Sequence, residues 1–500
     1  MKQNHIIQKV FIEITVNSKE KAYQIKDDLN SFLSIDVFPE IEKYINGIEY
    51  QLAGHTLQIP LLELNPDVDS SSLNSELKNQ ITRLFKEELS EIVDSREIWS
   101  EQTENNSKAS WISNKEKLLQ SFIYFLENGS MPWWNSDNEN INFLETAVFD
   151  SLIAVPAFQK SILSVLPKQH IQTRIINQLS DRQIAQLCMA LLENKELTIN
   201  LEDRVLQNVS KLRHHERSLV WGLVLGVLSK YSDSSNADLR KYILEQVSKA
   251  NPAGSSTKKV SHKIQKALTE IFSFISEDEI AESIENTNSI NHIKNIESKG
   301  PENITNHLKN NLKNVKKTAE AIDHNNTELH DDGIMNEGQY VQNAGLILIH
   351  PFIKTLFEHC DLLDPKTQEI TNPELGAHLL HYIATGTTNA PEYEMTFEKF
   401  LCNIPMHQSI DRHIKLSRKH KTEAKNVIES VQHNWSPMQK SSAALLQNEF
   451  FQRSGKLVVT DHDYTLTVER KTQDILLEKL GWGIGFIKLP WKEKFLFVNW

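Results

Sequence analysis

The sequence has few cysteines, no excess of positive charge and no long apolar run. Its three cysteines, Cys188, Cys360 and Cys402, lie far apart among 500 residues, which is typical of reduced cytosolic thiols rather than of a disulfide framework. The 66 acidic and 54 basic residues give a net charge of −12. This balance argues against a dedicated nucleic-acid binder and provides no general attraction to anionic membranes.

The chain also lacks the patterns of membrane and secretory proteins. Its longest apolar run, from Leu219 to Leu228, predicts a buried helix, because a membrane span needs about twenty apolar residues. The first residues, MKQNHIIQKVFIEIT, alternate apolar and polar side chains instead of forming the apolar core of a signal peptide. We therefore expect a protein that is made and folded in the cytoplasm and does not insert into a membrane.

The length of the chain predicts two or three domains, because 500 residues exceed what one hydrophobic core usually supports. Residues 1–93 are predicted to form a small α+β module in the order β-α-β-α. Alternating apolar residues predict strands over 10–16 and 57–61, and helical spacing predicts helices over 18–32 and 72–93.

The middle of the chain differs in composition from both ends. A polar stretch, 94–114, is predicted to be a linker, and residues 115–275 have the periodicity of an antiparallel helical domain. Residues 276–340 contain 12 Asn, 13 acidic residues and 6 Lys, with Tyr340 as the one aromatic residue. Such a segment buries too little apolar area to offset its ordering entropy, so it is predicted to be a flexible Asn- and acid-rich linker.

Residues 341–500 are rich in apolar residues again and are predicted to form a second α+β domain. Helices are expected near 341–358, 373–385, 391–402, 408–433 and 438–451. The segment from Leu457 to Val468 alternates around a polar turn, which predicts a hairpin, and an apolar strand is expected at the end of the chain. The predicted fold class is therefore mainly α and multi-domain, with small α+β modules at both ends.

No residue pattern predicts a catalytic, cofactor-binding or metal site. His378 and His381 lie one helical turn apart, but HExxH and a second ligand pair are absent, which favours core or interface histidines. The glycines Gly481, Gly483 and Gly485 precede an apolar strand, whereas a phosphate-binding loop precedes a helix. We expect a protein that is not an enzyme. The enzyme alternative is a cysteine–histidine or metal site assembled in space.

Two features are typical of protein contacts. Six basic residues and one acid lie between Arg412 and Lys425, most often a solvated helix face and less often a docking surface for an acidic partner. Several of the nine tryptophans lie at turns or segment ends, where aromatic residues can anchor interfaces or fill the core. The candidate contact residues are Trp133, Trp134, His350, Pro351, Phe352, Trp482, Trp491 and Trp500.

Six C-terminal segments and two earlier ones carry a resemblance to a known family. The C-terminal segments are NAGLILIHPF (343–352), HLLHYIATG (378–386), PEYE (391–394), LCNIP (401–405), FFQRSGKL (450–457) and LGWGIGFIKLPW (480–491). The earlier ones are HIIQKVFIEI (5–14) and YFLENGSMPWW (124–134). In this order, the segments resemble the tape measure proteins of contractile injection systems, which are phage-tail-like particles.

The resemblance implies an assembly protein that helps to set tube and sheath length through protein contacts alone, without a cofactor. Its implied partners are the tube, the spike or baseplate, and the terminator or cap of the particle, and self-association is also open. A fixed baseplate or cap adaptor of the same particle is the alternative. After synthesis in the cytoplasm, the protein would be incorporated into the assembled particle.

Overall fold

A computed structural model of the protein describes a set of ranges separated by short gaps and one long one. The described residues are 5–16, 18–52, 55–66, 73–94, 109–135, 142–192, 197, 199–230, 236–249, 261–283 and 338–500. The chain divides into two compact units, residues 1–120 and residues 121–500. The described residues are mostly helical with small sheets, which confirms the predicted fold class.

The first unit combines long helices with a small sheet. Helix α1 (Lys19–Ser31) continues through a π-helical turn (Phe32–Val37) into α2 (Phe38–Leu52), and α3 spans Ser75–Asp94. Strands β1 (His55–Gln58) and β2 (Ser110–Ser113) pair antiparallel. Apolar residues of the helices form the core of this unit, namely Phe32, Val37, Ile41, Phe85, Leu89 and Val93.

The strand predicted over 10–16 is wrong. Residues 5–16 have no regular secondary structure, and most of their large apolar side chains are exposed. A strand is stabilised by pairing its backbone with a neighbour, and β1 pairs instead with Ser110–Ser113. Those residues belong to the stretch predicted as the linker 94–114, so the C-terminal end of that stretch is a strand.

The second unit begins with an array of mostly short helices. Helix α10 (His214–Lys230) contains the apolar run predicted to be a buried helix, and Trp221 on it is fully buried. No single described helix is long and apolar enough to cross a membrane, and among the described helices only the pair α5 (Thr146–Ile153) and α6 (Phe158–Val165), bent by 94°, passes that test together. Helix α4 (Asn114–Asn128) begins in the first unit and continues into the second. The other helices are α7 (Gln169–Gln178), α8 (Asp181–Leu192), α9 (Asp203–Ser210), α11 (Asn236–Lys249) and α12 (His262–Ile271).

The C-terminal part of the second unit contains a five-stranded sheet in the order β3-β4-β5-β7-β6. Neighbouring strands are antiparallel except for the parallel pair β5 and β7. The predicted hairpin is confirmed as β4 and β5. The strands are β3 (Gln339–Val341), β4 (Gly455–Val459), β5 (Tyr464–Val468), β6 (Phe486–Ile487) and β7 (Leu496–Asn499).

Helices of the C-terminal part share one hydrophobic core with this sheet. They are α13 (His350–His359), α14 (Pro373–Thr385), α15 (Thr396–Leu401), α16 (Arg418–Asn434) and α17 (Ala443–Leu446). Short 3-10 helices at Ala344–Ile349, Glu392–Glu394, Ser436–Met438 and Thr472–Lys479 connect them, and a π-helical turn follows α17 at Gln447–Phe451. The helix predicted over 408–433 begins only at Arg418.

The predicted linker 276–340 is described only at its two ends. Residues 277–283 are helical, with Ile280 fully buried, and Gln339–Val341 form β3. Residues 284–337, for which the linker was predicted to be flexible, lie outside the described residues. Because 121–283 and 338–500 lie within one compact unit, the division into separate helical and C-terminal domains stays a prediction.

Candidate functional site

A buried cluster of charges joins the helical part of the second unit to its C-terminal part. Arg174 on α7 and Glu392 have fully buried side chains, and Arg174 Nε lies 3.1 Å from Glu392 Oε2. Lys399 on α15 is also buried, and its Nζ lies 2.6 Å from Glu392 Oε1. One carboxylate therefore binds two cations that come from distant parts of the chain. We call these three residues the buried charge cluster.

Main-chain carbonyls accept the remaining hydrogen bonds of the two cations. The Arg174 guanidinium donates to the carbonyl of His407, and the Lys399 ammonium donates to those of Met406 and Gln408 at 2.8 and 2.6 Å. Burial lowers the pKa of Lys399, and the neighbouring carboxylate opposes this shift. Buried charges are tolerated only when they are paired and hydrogen-bonded, so this arrangement fixes the loop that follows α15 against α7.

Gln178, at the end of α7, adds hydrogen bonds to the same contact. Its buried side chain donates from Nε2 to the carbonyl of Ile410 at 2.8 Å and accepts at Oε1 from the N–H of Glu392 at 2.9 Å. Its own carbonyl accepts from Arg412 Nη1 at 3.0 Å. Arg412 is the first basic residue of the stretch considered as a docking surface, so this guanidinium is used inside the unit.

Aromatic rings extend the same contact on its apolar side. The ring of Tyr393 packs edge-on against Phe125 and Phe143, with centroid distances of 5.1 and 5.7 Å. All three side chains are buried, and burial raises the pKa of the Tyr393 phenol. The helical and C-terminal parts of the second unit are therefore held together by apolar packing as well as by buried polar groups.

Three of the predicted contact residues lie together at one place in the C-terminal part. Trp482 packs edge-on against Phe352 with a centroid distance of 5.4 Å, and its indole N–H donates to the carbonyl of Leu348 at 3.0 Å. His350 donates from Nε2 to the carbonyl of Gly483 at 3.0 Å, and burial lowers its pKa. We call His350, Phe352 and Trp482 the Trp482 cluster. Its side chains are half-buried, so each keeps a surface open to solvent.

The other predicted contact residues lie at separate places. Pro351 is exposed in the first turn of α13. Trp491 lies in the core, where its indole N–H donates to the carbonyl of Leu401 at 2.7 Å. The remaining tryptophans, Trp133, Trp134 and Trp500, are half-buried, and Trp500 donates to Asp474 Oδ2 at 3.1 Å. As contacts to a partner, all these residues stay predictions.

An exposed aromatic patch was not among the predicted contact residues. Phe486 on β6 lies opposite Phe497 on β7, and its ring lies 5.2 Å from Phe497 and 4.4 Å from Phe495. All three side chains are at least 40% exposed. We call them the Phe patch. The sequence FLFVN near the end of the chain could have predicted this patch, because neighbouring residues of a strand point to opposite faces. Leu496 and Val498 are buried in the core, and Phe495 and Phe497 are exposed.

The two histidines that could carry chemistry hydrogen-bond to groups of the fold, and the three cysteines are buried. His378 donates to the carbonyl of Asp411 at 2.8 Å, and His381 bonds to the buried carboxylate of Glu398 at 3.0 Å. Within the described ranges, no group of three or more His, Cys, Asp or Glu could hold a metal ion. Burial raises the pKa of Cys360 to about 11, and it also raises the pKa values of the other two cysteines.

Comparison with known proteins identifies the family of the chain. The family model described as "Contractile injection system tape measure protein" matches residues 4–500. No curated protein and no solved structure gives a significant match. The match covers both compact units and nearly the whole sequence. The chain therefore belongs to the family of contractile injection system tape measure proteins.

Proposed function

We propose that the protein helps to set the length of the tube and sheath of a contractile injection particle, and that it does so through protein contacts alone. The observation that carries this proposal is the family match along residues 4–500. The partners would be the tube, the spike or baseplate, and the terminator or cap proteins. The protein would be incorporated into the particle after its synthesis in the cytoplasm.

The C-terminal part offers two surfaces for such contacts. The Phe patch exposes three mutually packed rings, and the Trp482 cluster presents half-buried aromatic side chains on a rigid core. Aromatic residues are enriched at the centres of protein interfaces because they bury a large area at a small cost in conformational entropy. We assign the contact with a particle end to this part of the chain.

The packing of the second unit limits how the chain could act as a ruler. A chain that measures a tube by its own length has to be extended, at about 1.5 Å per residue as a helix or about 3.3 Å as a strand. Extending residues 121–500 would break the buried charge cluster and leave its ions without their partners. This observation favours a second candidate, in which the folded unit is a fixed baseplate or cap adaptor.

Electron microscopy of particles separates these functions. Deleting the gene should change particle length or abolish assembly, whereas uniform particles of unchanged length would overturn the length-setting role.

Shortening residues 284–337 in frame should shorten particles in proportion if this stretch is part of a ruler. Unchanged length, with density for the protein at one particle end, would support the adaptor. A variant with the same residues in shuffled order is the matched control for length.

A further inference from the structure

Residues 5–16 have the sequence of an amphipathic strand. The even-numbered positions are apolar except for Gln8, and the odd-numbered positions carry most of the polar side chains. The side chains of a strand point alternately to its two faces, so one face of such a strand would be almost entirely apolar. The apolar residues of this face are Ile6, Val10, Ile12, Ile14 and Val16.

This segment lies outside the strand ladders of the described residues. In the described part of the chain, no strand forms a ladder with residues 5–16. Ile12 is 42% exposed, and Phe11, on the opposite face, is 79% exposed. An apolar segment that lies outside any described strand ladder is a template for pairing with another strand, because pairing satisfies the backbone and covers the apolar face.

The segment is complementary to a second copy of itself. In an antiparallel pairing centred on Phe11, Lys9 of each copy lies opposite Glu13 of the other, which creates two ion pairs. Phe11 then lies opposite Phe11, and Val10 lies opposite Ile12 on the apolar face. Moving the centre to Val10 places Glu13 opposite Ile7, and moving it to Ile12 places Glu13 opposite Phe11. The charges therefore select one register.

We propose that residues 5–16 of two copies of this chain pair as an antiparallel ribbon centred on Phe11, and that this ribbon joins two protein molecules. In this register, even-numbered residues of one strand lie opposite even-numbered residues of the other, so the apolar faces of the two strands lie on the same side of the ribbon. Two-stranded ribbons are marginally stable in water, so the dimer forms in a concentration-dependent way. This inference is independent of the proposed role in length determination.

Charge reversal in the full chain tests the proposal. The molar mass of the wild-type protein, measured by analytical ultracentrifugation, should rise towards twice the monomer value as its concentration increases. Lys9→Glu and Glu13→Lys each place like charges opposite one another at both pairs, so each should weaken association by about tenfold or more. The double variant K9E/E13K restores both pairs and should dimerise like the wild type.

Mixing the two single variants provides a control that separates pairing from misfolding. The mixture should form a heterodimer, because the acidic strand of one variant then faces the basic strand of the other. The Lys9 and Glu13 side chains are exposed, so neither substitution disturbs the core. A wild-type protein that stays monomeric at every concentration would overturn the proposal. So would single variants that associate as strongly as the wild type.

Cross-linking tests the register. In this pairing, a Phe11→Cys variant places two thiols directly opposite one another, whereas Thr15→Cys places each thiol opposite Ile7. The three native cysteines are buried, so the introduced thiols are the accessible ones. Mild oxidation should therefore link F11C into a covalent dimer much faster than T15C. Equal rates for the two variants would overturn the register.

Discussion

At the scale of single residues, Glu392 lies at the centre of the contact between the two parts of the second unit. Its two carboxylate oxygens bind Arg174 and Lys399, and all three side chains are fully or almost fully buried. A buried ion pair adds little net stability compared with apolar packing, but removing one partner leaves an uncompensated charge away from water. Here the removal of one carboxylate charge would leave two buried cations without that counter-charge.

We expect Glu392→Gln to lower the free energy of unfolding by about 3–5 kcal/mol, since it preserves the shape of the side chain but removes its charge. The measurement is urea-induced unfolding followed by tryptophan fluorescence. Glu358→Gln is the matched control, because Glu358 pairs with Lys354 at the surface and exposed pairs contribute at most about 1 kcal/mol. Equal shifts of the unfolding midpoint in the two variants would show that the buried charge cluster does not hold the unit together.

At the scale of elements, the sequence predicted best those elements whose ends are set by local chemistry. Helix α14 spans Pro373–Thr385 as predicted, because Asn372 caps its first turn through the N–H of Leu375 and Gly386 ends it with a φ of +72°. The helix predicted over 408–433 begins only at Arg418, because residues before it hydrogen-bond to other parts of the chain. The carbonyls of Gln408 and Ile410 accept hydrogen bonds from Lys399 and Gln178 instead of from a helix.

The buried charge cluster could not be predicted from the sequence for the same reason. Arg174 and Glu392 are 218 residues apart, and neither lies in a pattern that distinguishes it from the other charged residues of the chain. The Trp482 cluster could be predicted in part from the sequence, because an aromatic residue among glycines predicts a packed turn. The contact of Trp482 with Phe352 depends on the tertiary fold and could not be predicted. Contacts between residues that are distant in sequence therefore cannot be predicted from local sequence patterns.

Replacing either of two glycines by alanine is predicted to change the stability of the protein, in opposite directions. Gly345 lies in the 3-10 helix Ala344–Ile349, where an added Cβ would collide with the main-chain carbonyl of Phe450. Gly222, inside α10, has open space at the same position. Gly345→Ala should therefore destabilise the protein by about 2 kcal/mol or more, whereas Gly222→Ala should stabilise it by about 0.5–1 kcal/mol.

The thermal unfolding midpoints of the two glycine variants check this prediction. Because both substitutions add one methyl group, a difference in sign between them reports the local packing and not the change in composition. If Gly345→Ala unfolded at the temperature of the wild type, the close approach between the 3-10 helix and the π-helical turn Gln447–Phe451 would not exist in solution.

At the scale of the whole molecule, residues 284–337 connect two parts of one compact unit. The chain before them ends in helical residues 277–283, where Ser283 Oγ donates to the carbonyl of Leu244 at 3.0 Å. The chain after them enters β3 of the sheet. We therefore expect the contacts between residues 121–283 and residues 338–500 to hold this unit together without the covalent connection.

Cutting the connection tests this conclusion. A protease recognition sequence inserted after Asn310 allows the chain to be cleaved there once the protein has folded. We expect the two pieces to elute together in size-exclusion chromatography under native conditions, because the buried charge cluster and the packed rings of Phe125 and Tyr393 lie between them. The uncut protein with the same insertion is the control for elution volume.

The same cleavage applied to the Glu392→Gln variant tests whether this single residue helps to hold the two pieces together. With two cations left unpaired between the pieces, cleaved E392Q should separate at a lower urea concentration than the cleaved protein with Glu392 intact. Pieces that separated without denaturant even with Glu392 present would mean that residues 284–337 act as a tether between independent domains. The stretch could then extend within a tube, and the ruler would be favoured over the adaptor.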